Sequence, residues 1–106
     1  MYRLNFYVPE SHLSGVKEAL FNAGAGKIGH YQKCCWQVRG EGQFLPMENS
    51  CPAVGQPGRV EHVVEYKVEM VCDDALVKDV IEALVLNHPY EEPAYDLVKV
   101  LTKKDF

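Results

Sequence analysis

Apolar and polar residues alternate over three stretches of this 106-residue chain, and two other stretches carry apolar residues at helical spacing. A period of two is typical of half-buried strands, and a spacing of three or four is typical of amphipathic helices. The pattern, with a last apolar run, predicts strands over residues 2–8, 31–39, 60–71 and 95–101. It predicts helices from residue 11 to about 23 and from residue 73 to about 87.

Each predicted helix carries one apolar stripe that must be buried. The first stripe consists of Leu13, Val16, Leu20 and Ala23, and the second of Leu76, Val77, Val80, Ile81 and Leu84. Two such helices can cover one face of a four-stranded sheet. Right-handed crossovers then give an α+β ferredoxin-like sandwich in the order strand-helix-strand-strand-helix-strand. The length predicts a single domain over residues 1–106.

The second face of this sheet has no element of the chain left to cover it. In the third strand, His62 and Tyr66 are expected on the core face, and Glu61 and Glu65 on the open face. In the second strand, the expected core face is Cys34, Trp36 and Val38, and the expected outer face includes Cys35, Gln37 and Arg39. An uncovered face of this kind favours a homo-oligomer. An open-edged α+β monomer is the alternative.

Residues 40–59 form a long connection between the second and third strands. Seven glycines and prolines interrupt this stretch, which contains no histidine and only two acids, Glu41 and Glu48. Connections of this length in a small domain are usually functional or mobile. The composition favours a lid, or an arm that packs on a neighbouring subunit, over a catalytic loop.

The charge of the chain narrows the range of partners. The chain has 15 acidic and 11 basic residues, a net charge of −4, and its longest basic run is Lys103-Lys104. Nucleic-acid binding is not expected, because it needs basic residues gathered on one face. No apolar run is long enough to span a membrane, and the first residues lack the features of a signal peptide. Four cysteines without metal-ligand or disulfide spacing predict free thiols in the cytoplasm.

The densest polar chemistry lies in residues 88–96, HPYEEPAYD, directly after the second helix. Pro89 and Pro93 stop the helix and stiffen the connection. An imidazole can donate a neutral nitrogen, and carboxylates can donate hard oxygens. The candidate ligand-binding residues are Tyr90, Glu91 and Glu92, and the candidate metal ligands are His88, Glu61 and Glu65. A solvated helix-to-strand corner and a salt-bridged strand face are the alternative interpretations.

Four sequence runs together carry a resemblance to a known family. They are residues 42–46 (GQFLP), 50–58 (SCPAVGQPG), 61–65 (EHVVE) and 88–96 (HPYEEPAYD). In this order they closely resemble the domain inserted into NGG-interacting-factor-three-like proteins, and the chain is similar to stand-alone, YqfO-like versions of that domain. Val8-Pro9 and residues 88–93 carry a looser similarity to the CutA-like divalent-cation-tolerance proteins.

The resemblance implies a ferredoxin-like domain of the CutA and PII type, whose relatives are commonly trimeric. In full-length members of the first family, a two-metal centre is built by residues of the surrounding domain. Those ligands lie outside the segment that resembles this chain, so the resemblance does not carry over a metal centre or a hydrolase activity. In the CutA comparison, His88 matches a corner linked with cation binding, whereas Glu92 stands where an apolar residue is usual.

Three classes of function follow from these observations. The first is a small cytoplasmic, oligomeric binding or regulatory module that senses a divalent metal ion or a small ligand at subunit interfaces. The second is a structural or protein-interaction domain with no ligand of its own. The third, an enzyme, is not favoured, because the sequence contains no recognisable nucleophile set or phosphate loop and offers only His88 and Glu91 as an acid-base pair.

Overall fold

A computed structural model describes all 106 residues of the chain. The elements in chain order are β1 (Tyr2–Val8), α1 (Glu10–Asn22), β2 (Trp36–Phe44), β3 (Glu61–Cys72), α2 (Val77–Asn87) and β4 (Tyr95–Lys99). Short 3-10 turns precede α2 at Asp74–Leu76 and follow β4 at Lys103–Asp105. Neither α-helix combines the length and the apolar character needed to cross a bilayer.

The four strands form one antiparallel sheet in the order β2-β3-β1-β4. β1 lies in the centre, where Phe6 pairs with Val68 of β3 on one side and with Tyr95 of β4 on the other. Both helices lie on the same face of the sheet and pack against each other. The α+β ferredoxin-like fold predicted from the sequence is confirmed.

The hydrophobic core lies between the two helices and the central strands. It contains 12 buried residues. Its members are Leu4, Phe6, Val8, Leu13, Val16, Leu20, Ala25, Val68, Met70, Cys72, Val80 and Leu84. The apolar stripes of both helices contribute to it, with Ala23, Leu76 and Val77 packed at its edge, whereas Ile81 of the predicted second stripe lies outside it. Burial of these apolar side chains is the main source of stability for a domain of this size.

The predicted bounds of the second strand are wrong. β2 begins at Trp36, five residues later than expected, and runs through Gly40 and Gly42 to Phe44. The segment before it is a compact turn, in which Lys33 has a φ of 56° and Ile28 pairs with Tyr31. A left-handed residue interrupts an extended strand, so pairing starts only after it. The connection to β3 is correspondingly shorter than predicted.

The predicted facing of the second strand is also wrong. Trp36 pairs with Glu69, and Val38 pairs with Lys67, so these two apolar side chains lie on the uncovered face of the sheet. Gln37 lies on the helix face, where its side-chain oxygen accepts a hydrogen bond from Lys17 at 2.8 Å. Cys34 is only half-buried and lies outside both the strand and the core. Because β2 is an edge strand, alternation alone does not show which of its faces is covered.

β3 is longer than the helices that cover it. Its second half carries core residues, as predicted, but His62 and Val64 in its first half are exposed. The expectation that His62 is partly buried is therefore wrong. Its Nδ1 atom lies 3.1 Å from the Glu41 carboxylate on β2. The β2–β3 pair projects beyond the helices and gives the molecule its extended shape of 49 × 22 × 22 Å.

Asp74 links the start of β1 to the end of β4. The Asp74 carboxylate contacts the α-amino group of Met1 and lies 3.0 Å from Lys99 Nζ. These hydrogen bonds lower the pKa of Asp74 to about 2. After β4, Thr102 and Asp105 form a reciprocal capping box that closes the last 3-10 turn.

Phe6 offers a direct test of the core, because its side chain is 0% exposed and lies in the central strand. We expect Phe6→Ala to lower the free energy of unfolding by about 3–5 kcal/mol, since it removes a large buried side chain and leaves a cavity. Urea titration followed by circular dichroism measures the change.

Two matched variants complete this test. Phe6→Leu keeps most of the apolar volume and is expected to lose less stability than Phe6→Ala. Val85→Ala, at an exposed position of α2, is expected to change the free energy of unfolding by no more than about 0.5 kcal/mol. Equal losses at Phe6 and Val85 would contradict the assigned core.

Candidate functional site

The residues that follow α2 form a corner that packs against the end of β1. His88 leaves the helix with an extended conformation (φ −77°, ψ 139°), as expected for a residue that precedes a proline. Its side chain turns inward and is only 7% exposed. The candidate imidazole is therefore part of the interior of this corner.

Both ring nitrogens of His88 are engaged. Nε2 lies 2.6 Å from the backbone oxygen of Tyr7, and Nδ1 lies 3.1 Å from the backbone nitrogen of Tyr90. A carbonyl can only accept and an N–H can only donate, so Nε2 carries the proton and Nδ1 accepts. The neutral ring thus joins β1 to the turn that carries Tyr90. Burial, with a smaller effect from His12, lowers the pKa of His88, although the bond to Tyr7 opposes the shift.

A cleft of about 290 Å³ lies beside this corner. Residues of β1, β2 and β3 form its floor, the corner forms one wall, and residues 45–54 form the other. The residues that line it are Tyr7, Gln43, Phe44, Leu45, Pro46, Met47, Ser50, Pro52, Ala53, Val54, Glu65, Tyr90, Glu91, Glu92 and Ala94. Apolar side chains and three carboxylates line it, and no Lys, Arg or His does.

Tyr90 forms the wall between the buried histidine and the cleft. Its ring centroid lies 4.9 Å from that of His88 and 6.5 Å from that of Phe44, in tilted arrangements that suit aromatic pairs. Burial raises the pKa of the Tyr90 phenol, and the negative charge of Glu65 raises it further. Tyr90 is therefore a neutral phenol at the boundary between apolar and acidic surfaces.

Glu65 reaches the cleft across the backbone of β2. A β-carbon at position 42 would collide with the Glu65 carboxylate, so Gly42 leaves room for the side chain to lie there. No basic group lies within ion-pair distance of Glu65. Burial without a compensating charge raises the pKa of this carboxyl. Glu65 is a half-buried carboxylate that faces a cavity and has no partner in the chain.

Glu91 attaches the long loop to the corner. Its two carboxylate oxygens lie 3.0 and 3.3 Å from the backbone nitrogen of Cys51, which donates to them. The loop is also closed on itself, because the Gly58 amide donates to the Pro46 carbonyl at 2.8 Å. The loop is thus held over the cleft, consistent with the lid interpretation of this segment.

The structure brings together some of the predicted site residues. Tyr90, Glu91, Glu92 and Glu65 all line the cleft. His88 supports the cleft from behind and is absent from its surface. Glu61 lies outside it, with its side chain against Gly55 in the loop. No group of three His, Cys, Asp or Glu side chains is close enough to hold a metal ion, so the metal assignment stays a prediction.

Several residues of the cleft were missed by sequence reasoning. Tyr7 lies on the otherwise polar face of β1, and an aromatic residue at a polar position was the one sequence signal that could have indicated its place in the cleft. Phe44 was placed in the loop but ends β2. The apolar loop residues, such as Met47 and Val54, contact the site only because the loop folds back, which no local pattern indicates.

The buried neutral histidine predicts a pH dependence of stability. Because the folded-state pKa of His88 lies below its ordinary value of 6.5, the unfolded chain takes up the proton first as the pH falls. The contribution of His88 is therefore present above pH 6.5 and is lost as the pH falls through the lowered pKa. The slope cannot exceed about 1.4 kcal/mol per pH unit for one proton.

Urea titrations of the native protein and of His88→Gln between pH 7.5 and about pH 5 measure this effect. We expect the stability difference between the two proteins to be largest near neutral pH and to shrink on acidification. His30→Gln, at an exposed position, is the control for nonspecific effects of losing a histidine. A difference that is constant with pH would contradict the neutral, buried state of His88.

The bond between Glu91 and Cys51 predicts how the loop responds to mutation. In Glu91→Ala the Cys51 amide loses its acceptor, so it should exchange its hydrogen faster. Hydrogen-deuterium exchange read by NMR measures the rate at Cys51 and at neighbouring loop amides. Glu82→Ala, on the exposed side of α2, should leave these rates unchanged. Equal exchange in the native protein and in Glu91→Ala would show that the bond does not hold the loop.

Comparison with known proteins finds close sequence relatives. The chain is 43% identical over 97 residues to a GTP cyclohydrolase 1 type 2 homolog of Halalkalibacterium halodurans, a match that covers 92% of this chain and 26% of that protein. It is 46% identical over 91 residues to the homolog of Mycobacterium leprae, which covers 86% of this chain and 24% of that protein. The chain therefore spans about a quarter of the length of these curated relatives.

Comparison with solved structures gives the same picture. A Bacillus cereus protein related to NIF3 matches with a TM-score of 0.79 and 38% identity, over 91% of this chain and 24% of that one. The periplasmic divalent cation tolerance protein CutA of Archaeoglobus fulgidus matches with a TM-score of 0.70 at 13% identity, over 98% and 90% of the two chains, which shows a shared fold. No family model matches the chain. Over most of its own length, this chain is similar to one segment of the NIF3-related and GTP cyclohydrolase 1 type 2 homolog proteins, as its sequence motifs predicted.

Proposed function

We propose that this chain is a small binding or regulatory module, which assembles as a homo-oligomer and holds a small ligand in the cleft beside residues 88–94. The observation that carries the proposal is the cleft itself. It is enclosed on two sides by the proline-stiffened corner and the attached loop, and it combines an apolar lining with a few convergent polar groups. These are the general properties of small-molecule sites.

The supporting structure behind the cleft favours a binding site over an incidental groove. His88 and Tyr90 are positioned by hydrogen bonds that use both nitrogens of the imidazole. The Glu91 carboxylate accepts a hydrogen bond from the loop backbone at Cys51. An incidental surface groove does not need these hydrogen bonds, whereas a binding site must hold its walls in one geometry.

The uncovered sheet face supports the proposed assembly. Trp36 is 60% exposed, Val38 43% and Val98 51%, and all three lie on that face. Aromatic and aliphatic residues on an unpartnered face are typical of interaction surfaces. A trimer is the form that we favour, from the sequence resemblance to the CutA-like proteins. The same face also supports the second candidate, a protein-interaction domain whose partner is another protein.

Sensing of a divalent metal ion is the finer form of this proposal, with His88, Glu61 and Glu65 as ligands. It would require His88 to release one of its two hydrogen bonds. It would also require Glu61 and Glu65 to converge, although four residues along a strand separate their backbones by about 13 Å. Native mass spectrometry before and after chelation tests this form, which predicts a metal adduct that is lost with the chelator and in His88→Ala.

The proposal includes no catalytic step. The relatives described above are about four times as long as this chain, so their names describe proteins of which this chain matches one segment. The place of action that we propose is the cytoplasm, where the four free cysteines would remain reduced.

Assembly is tested first, by native mass spectrometry and sedimentation velocity. We expect an oligomer, with a trimer favoured, that Trp36→Glu converts to smaller species because it places a charge in the buried interface. Val85→Glu, on the opposite side of the molecule at an exposed position of α2, is the matched control and should leave the assembly unchanged. A native protein that stays monomeric at high concentration would contradict the oligomer.

Ligand binding in the cleft is tested with three probes of similar shape: phenethylamine, phenethyl alcohol and hydrocinnamate. We expect at least one of them to shift the methyl NMR signals of Met47 and Ala94, which line the cleft. Ala53→Trp fills the cleft and should abolish the shifts, whereas Ala75→Trp, at an exposed position outside the cleft, should not. Absence of binding by all three probes would contradict the ligand-binding proposal.

A further inference from the structure

We infer that the cleft selects an organic cation, an ammonium group carried on a small aromatic or aliphatic body. The inference rests on the proposed function, because it names the class of ligand that the same cleft would take. It depends on the charges that line the cleft, on the lack of any cation to balance them, and on the shape of the apolar lining.

The charge of the cleft is of one sign. Glu65, Glu91 and Glu92 line it, and no basic side chain does. The four ion pairs of the chain involve none of these carboxylates. Lys67 lines an adjoining cleft that shares Tyr7 and Glu65, and it too makes no ion pair with Glu65. An anion entering the main cleft would be repelled by these carboxylates, whereas a cation would be attracted.

The carboxylates of the cleft differ in whether they accept hydrogen bonds from the rest of the chain. Glu91 accepts hydrogen bonds from the Cys51 backbone, while Glu65 and Glu92 accept none. Glu65 is also half-buried, at the floor of the cleft. Removing a carboxylate from water is unfavourable unless a cation or a donor replaces the water. An ammonium group would supply both, at the point where the chain itself supplies neither.

The apolar lining favours an organic cation over a bare ion. Phe44 and Tyr90 contribute aromatic rings to the lining of the cleft, and Pro46, Met47 and Val54 contribute further apolar surface. Aromatic faces attract ammonium groups, and the neighbouring apolar surface gains from contact with a hydrocarbon body. A volume of about 290 Å³ accommodates a single small amine.

A bare divalent ion fits the same surface less well. Hard cations in proteins need several oxygen ligands at about 2.0–2.6 Å. No three Asp, Glu, His or Cys side chains of the chain lie close enough together to hold a metal ion. The apolar walls would also remain uncovered with such an ion bound. An ammonium group needs fewer partners, because one carboxylate and one aromatic face already satisfy much of its bonding.

The test compares the three probes already named, by calorimetry and by the methyl shifts of Met47 and Ala94. The probes share an aromatic body and differ in the charge of the terminal group. We expect phenethylamine to bind about tenfold or more tightly than phenethyl alcohol, and hydrocinnamate not to bind in the cleft. The affinity of the amine should also fall with added salt, because its attraction to the cleft is electrostatic.

Two variants assign the effect to particular carboxylates. Glu65→Gln and Glu92→Gln keep the shape of each side chain and remove its charge, and each should lower the amine affinity while leaving that of the alcohol unchanged. Glu69→Gln lies on the same sheet face as Glu65 but outside the cleft, so it serves as the matched control. Circular dichroism and urea titration check that all variants are folded.

The outcomes separate this inference from the proposal on which it rests. Preferential binding of the amine, lost in Glu65→Gln or Glu92→Gln and retained in Glu69→Gln, would support both. Binding of the alcohol or of hydrocinnamate in the cleft with equal or greater affinity would overturn the cation inference and leave the ligand-binding proposal standing. Amine binding that survives both cleft variants would also overturn the inference. Absence of binding by every probe would overturn both.

Discussion

The hydrogen bond between the His88 ring and the Tyr7 carbonyl is the contact on which the rest of the site depends. It joins the residue that follows α2 to the end of the central strand. The second ring nitrogen accepts from the Tyr90 backbone, so one neutral imidazole sets the position of the corner that follows. The net contribution of such bonds is about 1 kcal/mol each, but a buried group left without a partner costs about 1–3 kcal/mol. Loss of the ring would therefore move the wall of the cleft as well as weaken the fold.

The cleft is assembled from elements that are distant in the sequence. Glu65 lies on a central strand, Gly42 leaves room for it on the edge strand, and Glu91 holds the loop in place from the corner. Each of these contacts is between a side chain and a backbone. Such contacts position a loop without large apolar burial, which explains how a segment of mostly exposed residues can form a wall.

The core and the order of elements could be predicted, because burial against two helices leaves a clear period in β1, α1 and α2. β2 could not be placed from its pattern. It is an edge strand, and Lys33 and the preceding turn delay its start, so the apolar residues Trp36 and Val38 belong to the uncovered face. The predicted burial of His62 was wrong for a related reason, since β3 extends beyond the helices and its alternation continues where nothing covers it. Alternation reports two faces and is silent on which face is buried.

The sequence by itself determined the fold class and the position of the corner, because these depend on local periodicity and on the fixed geometry of proline. Tertiary structure alone decided the role of each group. His88 and Tyr90 are two residues apart, yet both ring nitrogens of His88 bond to the backbone, whereas Tyr90 lines the cavity. Tyr7, Glu65 and the loop reach that cavity only through strand pairing and loop closure. Contacts of this kind join residues far apart in the chain, so no local pattern of residues encodes them.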